Sequence, residues 1–146
     1  MPEGQSSPAV HQLSVRVYYE DTDAAGLVYY ANYLRYAERA RTEMLRELGI
    51  GSSELMANEG LALVVRRCAA DYIKPARLDD VLNVETRILH VGGASLDLEQ
   101  AVCRGDDVLV RMELKIGCFD LSTGGAARLP KHLRAVFSQT QADRVP

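Results

Sequence analysis

Two carboxylates, Asp21 and Asp23, stand in the segment DTDAAG at residues 21–26, and Tyr29, Tyr30 and Tyr33 follow closely. A carboxylate held in a turn can attack an electrophilic carbon directly, or it can take a proton from water. Between a strand and a helix, the commoner role of aspartate is only to cap and solvate the turn. The segment also mimics a calcium loop, with Asp21, Asp23 and Gly26 at its first, third and sixth positions. It fails at Ala25, it has Asn32 where a bidentate glutamate is required, and it follows a strand rather than a helix, so calcium is not expected. No G-x-S-x-G motif occurs, and His11, His90 and His132 all lie away from this segment, so nothing suggests a Ser-His-Asp arrangement. The three histidines are scattered, and Cys68, Cys103 and Cys118 form no CxxC pair, so no metal cluster is expected and the thiols read as reduced and buried.

The carboxylates need elements to position them. Leu13, Val15, Val17 and Tyr19 alternate with polar residues, a period-2 strand with one buried face that ends at the DTDAAG turn. A long helix is predicted over 33–48, with Asn32 as its N-cap and Gly49 as its stop. Its inward stripe is read as Leu34, Ala37, Ala40, Met44, Leu45 and Leu48, and its length is about 24 Å. The remainder reads as strands over 61–73, 81–90, 96–102 and 108–116, with Gly92-Gly93 and Gly105-Asp106-Asp107 as turns. Pro130 opens a short terminal helix carrying Leu133, Val136 and Phe137 inward. Tight turns make the strands antiparallel, and the one long helix must bury its stripe against the sheet. The expected class is α+β, in one domain over 13–138, with tails at 1–12 and 139–146.

The chain of 146 residues is long enough for one real core, and its 47% hydrophobic and 25% charged residues are ordinary for a globular protein. A net charge of -3 argues against a nucleic-acid surface. No stretch approaches the roughly 20 apolar residues of a transmembrane helix, and the start lacks the pattern of a signal peptide. A cytoplasmic protein is expected.

The segment VRVYYEDTDAAGLVYYANYLRYAERARTEML at 15–45, and RRCAADYIKPARLDDVLNVETRI at 66–88, resemble the hydroxybenzoyl-CoA thioesterase family. Within that family they look most like the Tol-Pal-associated acyl-CoA thioesterases. The resemblance reaches to about Phe119 and rests on the D-x-D-x-x-G-x-V-Y core with Tyr33 beyond it. It implies a hotdog fold, a five-stranded antiparallel sheet wrapped around one long helix, in homodimers or homotetramers. It also implies hydrolysis of the thioester of an acyl-CoA, or of acyl carrier protein, with no metal or organic cofactor. The family's catalytic carboxylate falls on Asp23. Tyr30 departs from the histidine common in the Tol-Pal branch and agrees with the hydroxybenzoyl branch.

For that chemistry the attacking group is Asp23, as nucleophile or as general base. Backbone N–H groups near Tyr30, Asn32 and Tyr33, at the positive end of the helix, are candidates for stabilising the oxyanion, and Gly60 is another. Tyr29, Tyr30 and Tyr33 could line an acyl pocket or serve only in packing. Arg66, Arg67, Lys74 and Arg77 are the candidate partners for the CoA phosphates, although each reads as well as a solvated surface charge. A hotdog dehydratase would need a histidine in the segment. The non-enzymatic rival is an accessory protein that binds acyl carrier protein or serves the cell envelope.

Overall fold

A computed structural model describes residues 10–141. Five strands form one antiparallel sheet: β1 (Val10–Arg16), β2 (Leu61–Tyr72), β3 (Val81–Val91), β4 (Ser95–Arg104) and β5 (Asp107–Asp120). Their spatial order is β1-β3-β4-β5-β2, so β1 and β2 are the edges. The hairpin from β4 to β5 turns on two residues, and Gly105 takes the positive φ of 58° that such a turn requires. Alternation along each strand sends Leu82, Val84 and Ile88, then Leu96, Leu98 and Val102, then Val110, Met112, Leu114 and Ile116, into the core.

Helix α1 (Tyr30–Glu47) lies against this face and touches β1, β3 and β4. The sheet curved around one long helix is the hotdog architecture, in the α+β class. The helix begins three residues earlier than expected, because Tyr29 rather than Asn32 is the N-cap. Asn32 sits in the first turn, and its side chain is committed elsewhere. The buried stripe also differs: Tyr33, Tyr36, Ala37, Ala40 and Met44 face inward, while Leu34 is left exposed. Two large phenol rings outweigh one leucine in the apolar area they remove from water. Gly49 ends the helix as expected, at φ 82°.

Two elements depart from the expected order. The first strand stops at Arg16, and Tyr19–Asp21 form a 3₁₀ turn that leaves Tyr19 exposed. The strand also starts at Val10, inside the expected tail, while residues 1–9 and 142–146 of the two expected tails lie outside the described residues. A second helix, α2 (Ser52–Glu59), precedes β2 where no helix was expected. It buries only Leu55, so it carries no apolar stripe for periodicity to find. The terminal helix α3 (Lys131–Gln139) follows Pro130 and buries Leu133 and Phe137.

One polar network ties α1 to the sheet inside the core. Gln100 is fully buried; its Nε2 donates to the Ala37 carbonyl at 3.0 Å and to Thr86 Oγ1 at 2.9 Å. Its Oε1 accepts from Arg41 Nη1 at 3.0 Å. Gln100→Leu fills the same space but strands three partners, one of them a half-buried cation. We expect a loss of about 2 kcal/mol in urea unfolding at an unchanged slope. A change within experimental error would show that water takes over these bonds.

Candidate active site

The segment holding the two aspartates is folded by its own backbone. Asp21 is buried, and its Oδ2 accepts the Tyr18 N–H at 2.9 Å. Its carbonyl accepts twice, from the Tyr29 N–H at 3.0 Å and from Asn32 Nδ2 at 2.8 Å, so the first turn of α1 is strapped to the aspartate loop. Thr22 bridges Val28, and Asp23 N–H donates to the Leu27 carbonyl at 2.8 Å. Gly26 makes this tight reversal at φ 77°, a backbone state that side-chain-bearing residues rarely adopt.

Asp23 stands at the tip. Its Oδ1 accepts two backbone N–H groups, from Ala25 at 2.9 Å and from Leu27 at 3.2 Å. Among the described residues, Oδ2 has no hydrogen-bond partner. One oxygen therefore fixes the carboxylate while the other stays available for attack or proton transfer.

Beside it opens a cleft of about 440 Å³, lined by Asp23, Leu27, Val28, Tyr29, Tyr30, Tyr33, Tyr72, Ile73, Lys74 and Pro75. Tyr33 is the buried floor, its hydroxyl accepting the Ala76 N–H at 2.9 Å. Burial raises its phenol pKa, against the Ala76 bond and the nearby Arg104. The Tyr29 and Tyr30 rings lie 4.7 Å apart, and interaction between their side chains raises the Tyr29 phenol. Tyr36 sits behind, fully buried, with its ring 6.2 Å from that of Tyr33. Burial and the facing Asp21 carboxylate push its phenol far up, although the two groups lack the alignment of a full hydrogen bond.

The N-terminus of α1 opens beside this cleft. The Asn32 N–H bonds the Tyr29 carbonyl at 2.8 Å, and the Tyr30 and Ala31 N–H groups have no acceptor within the helix. Together with the helix dipole they favour a developing negative charge.

The segment after β2 closes the far wall. Ala76 gives its N–H to Tyr33, and its carbonyl takes the Val28 N–H at 2.9 Å. Arg104 secures it, donating to Asp80 Oδ2 at 2.8 Å and to the Pro75 carbonyl at 3.3 Å. Burial alone would raise the Asp80 carboxyl, but bonds from the Arg77 N–H and Arg104 outweigh it and hold it below the usual range. A depressed pKa contributes stability above the unfolded value of about 3.9, and that stability is lost as pH falls below it. Arg104→Met should therefore cost roughly 0.5–1 kcal/mol near pH 7, as a partly exposed pair does. The gap in Tm between variant and parent should narrow as pH falls through the lowered range of the folded carboxyl, and a gap independent of pH would assign the effect to packing.

The candidate residues do not all converge. Asp23, Tyr29, Tyr30, Tyr33 and Lys74 share the cleft. Arg77 stands next to it, bridged to Leu27. Lys74 reaches Asp107 at 3.2 Å. Gly60 lies at the opposite end of β2, a strand of 12 residues and so roughly 40 Å long. It caps α2 with its N–H given to the Met56 carbonyl, which removes it as an oxyanion donor within this chain. Arg66 and Arg67 are also separate. Arg66 packs over Gly117 on the outer face of the sheet, and Arg67 lines an outer hollow with Asp97, Glu113 and Lys115. Asn32 is a strap for the aspartate loop rather than a helix cap. Tyr72, Ile73 and Pro75 are the wall residues that local sequence did not single out.

Comparison with known proteins agrees with this architecture. Over 123 residues the chain is 46% identical to "Acyl-CoA thioesterase YbgC" of Haemophilus influenzae, covering 84% of this chain and 90% of that one. It is 44% identical to "Acyl-CoA thioester hydrolase YbgC" of an Escherichia coli strain, covering 86% and 93%. The crystal structure of a probable thioesterase from Bartonella henselae superposes with a TM-score of 0.80 at 36% identity, covering 84% of this chain and 100% of that one. Residues 17–137 match the thioesterase-like superfamily, and the chain belongs to that family.

Proposed function

We propose that this protein hydrolyses the thioester of an acyl-CoA to a free acid and CoA, with Asp23 as the reacting carboxylate. The observation that carries this reading is the Asp23 carboxylate itself, tethered through Oδ1 and free at Oδ2, at the mouth of an aromatic cleft beside a helix N-terminus. The free oxygen can add to the thioester carbonyl, expel the CoA thiolate and leave a mixed anhydride that water then cleaves. It can equally take a proton from a water that adds to the same carbon. In both routes the carbonyl oxygen becomes negative, and the Tyr30 and Ala31 N–H groups are the donors placed to receive it. Lys74 and Arg77 serve the CoA phosphates from the cleft's margin.

The same proposal covers assembly and location. Strand β2 is a long edge that exposes Val64, Val65 and Tyr72, an unpaired template suited to the same strand of a second copy. A homodimer, or a homotetramer of two such pairs, would cover it. Three free cysteines suit the reducing cytoplasm. The motif at residues 15–45 supports placement in the Tol-Pal-associated branch.

The experiment is release of free thiol from acetyl-, butyryl-, benzoyl- and palmitoyl-CoA. Turnover of at least one of them supports the reading. Silence on all four from folded protein, together with tight capture of acyl carrier protein, would replace it with the accessory role.

A further inference from the structure

Asparagine is among the best residues for starting a helix, yet α1 starts without one. Its N-cap is Tyr29, which makes no side-chain cap bond, and Asn32 stands three residues further on. At the cap, an asparagine side chain would bond the N–H of the second or third helical residue, here Ala31 or Asn32. Ala31 would then be lost from the pair of donors at the helix tip. From its actual place Asn32 turns its amide out of the helix, and Nδ2 donates to the Asp21 carbonyl at 2.8 Å. Both residues are buried.

That bond joins the two halves of the chemistry. The aspartate loop is stiff in itself: the Asp23 N–H bonds the Leu27 carbonyl, and Asp23 Oδ1 takes the N–H groups of Ala25 and Leu27. It moves as one piece, so the place of Asp23 against the helix depends on how that piece is attached. At its entry the attachment is the Asp21 carbonyl, which accepts the Tyr29 N–H at 3.0 Å and the Asn32 amide. One bond is a hinge about which the loop can tilt. A second bond, from a residue three positions along, sets the angle. Asp23 lies two residues from one end of the Asn32 bond, and Tyr30 and Ala31 lie within two residues of the other.

We propose that Asn32 is a positioning residue for the thioester reaction, its amide holding the Asp23 carboxylate in register with the Tyr30 and Ala31 N–H groups. This rests on the hydrolase reading above. A misplacement of about 1 Å between reacting groups costs on the order of 10²-fold in rate. Binding of the acyl-CoA depends on the cleft walls, which the Asn32 side chain does not line.

The test is a double-mutant cycle with Asn32→Leu and Asp23→Asn, each rate taken per folded molecule on the acyl-CoA that the parent cleaves best. Leucine has a similar size and no donor, while the Asp21 carbonyl keeps its Tyr29 bond. Asn32→Leu alone should lower kcat roughly 10–100-fold and keep KM within about threefold. Its Tm should fall by only about 2–6 °C. In the Asp23→Asn background, followed by single turnover with excess enzyme, the same change should cost less than about threefold, because the group it positions is gone. Equal losses in both backgrounds would make Asn32 a residue of folding alone and overturn the proposal. Near-parental kcat in folded Asn32→Leu would overturn it too. If Asn32→Leu does not fold, Asn32→Ser, whose hydroxyl falls short of the Asp21 carbonyl, should show the same pattern. An active parent whose turnover survives Asp23→Asn would overturn this inference and leave the hydrolase activity standing. A folded parent silent on every acyl-CoA tried would remove the hydrolase reading and this inference with it.

Discussion

Asp23→Asn is expected to lower kcat for acyl-CoA hydrolysis by about 10²–10⁴-fold and to leave the folded protein as stable as before. The two halves of this expectation have separate causes. The amide retains a carbonyl oxygen that can accept the Ala25 and Leu27 N–H groups now bonded to Oδ1, so the loop keeps its shape. Asp23 is exposed, and substitutions at exposed positions away from structural devices stay within about 0.5 kcal/mol. An amide, however, is neither an effective nucleophile nor a base at neutral pH. Thiol release under saturating substrate, with circular dichroism and thermal melting on the same samples, measures both halves. A folded variant with near-parental turnover would remove Asp23 from the chemistry. A variant that melts early would instead make it a residue of the loop. Single turnover in ¹⁸O-labelled water separates the two routes in the parent. Direct attack leaves the label in the Asp23 carboxyl when water opens the anhydride at the protein side, whereas base catalysis leaves that carboxyl unlabelled.

The strand pattern could be read from the chain because the central strands keep one largely apolar face, and β1, β3 and β4 turn theirs toward α1. Val84, Val102 and Met112 all stand at alternating positions, and the buried polar side chains Thr86 and Gln100 of these strands bond each other. The same reasoning failed where burial is not periodic. Helix α2 buries one leucine and is held by position, so its sequence resembles a polar loop. The start of α1 was misplaced because Asn32 has the chemistry of a cap, yet its amide is used by the Asp21 carbonyl eleven residues away. The family resemblance singled out Asp23, and its loop is local: every bond that holds it comes from residues 25 to 27. The cleft wall could not be read locally. Tyr72 reaches Tyr30 and Tyr33 only after β2 returns along the sheet, and no spacing within the Leu61–Tyr72 strand marks it. For the same reason, Arg66 and Lys74 looked equivalent as cations. Strand geometry sends the first across Gly117 on the outer face and the second to the cleft.

Asp21, two residues from Asp23 in the same motif, should give the opposite result. Asp21→Ala is expected to destabilise the fold by about 3 kcal/mol, because a part-buried N–H loses a charged acceptor and a buried carboxylate leaves a gap. At roughly 2–4 °C per kcal/mol for a chain of this size, Tm should fall by about 6–12 °C. The loss goes beyond the Tyr18 N–H. The Tyr36 hydroxyl, already without a well-aligned partner, would face an empty space in place of a carboxylate. The backbone carbonyl of residue 21 still accepts from Tyr29 and Asn32, so the strap to α1 is weakened rather than cut. Turnover per folded molecule should therefore fall only about tenfold, the scale of a small misplacement of the reacting group. Asp21→Asn keeps an acceptor for Tyr18 and should recover about half of the lost stability. Combining Asp21→Ala with Tyr36→Phe should cost less than the sum of the two changes, by about 1 kcal/mol, because both act on one contact. Strict additivity would show that the facing carboxylate and phenol do not interact. A loss of turnover as deep as that of Asp23→Asn, in a variant of parental stability, would mean that both aspartates take part in the chemistry. The two expected outcomes differ because of burial. The inward aspartate is enclosed with a phenol and a backbone N–H, while the outward one keeps an oxygen free for an incoming group.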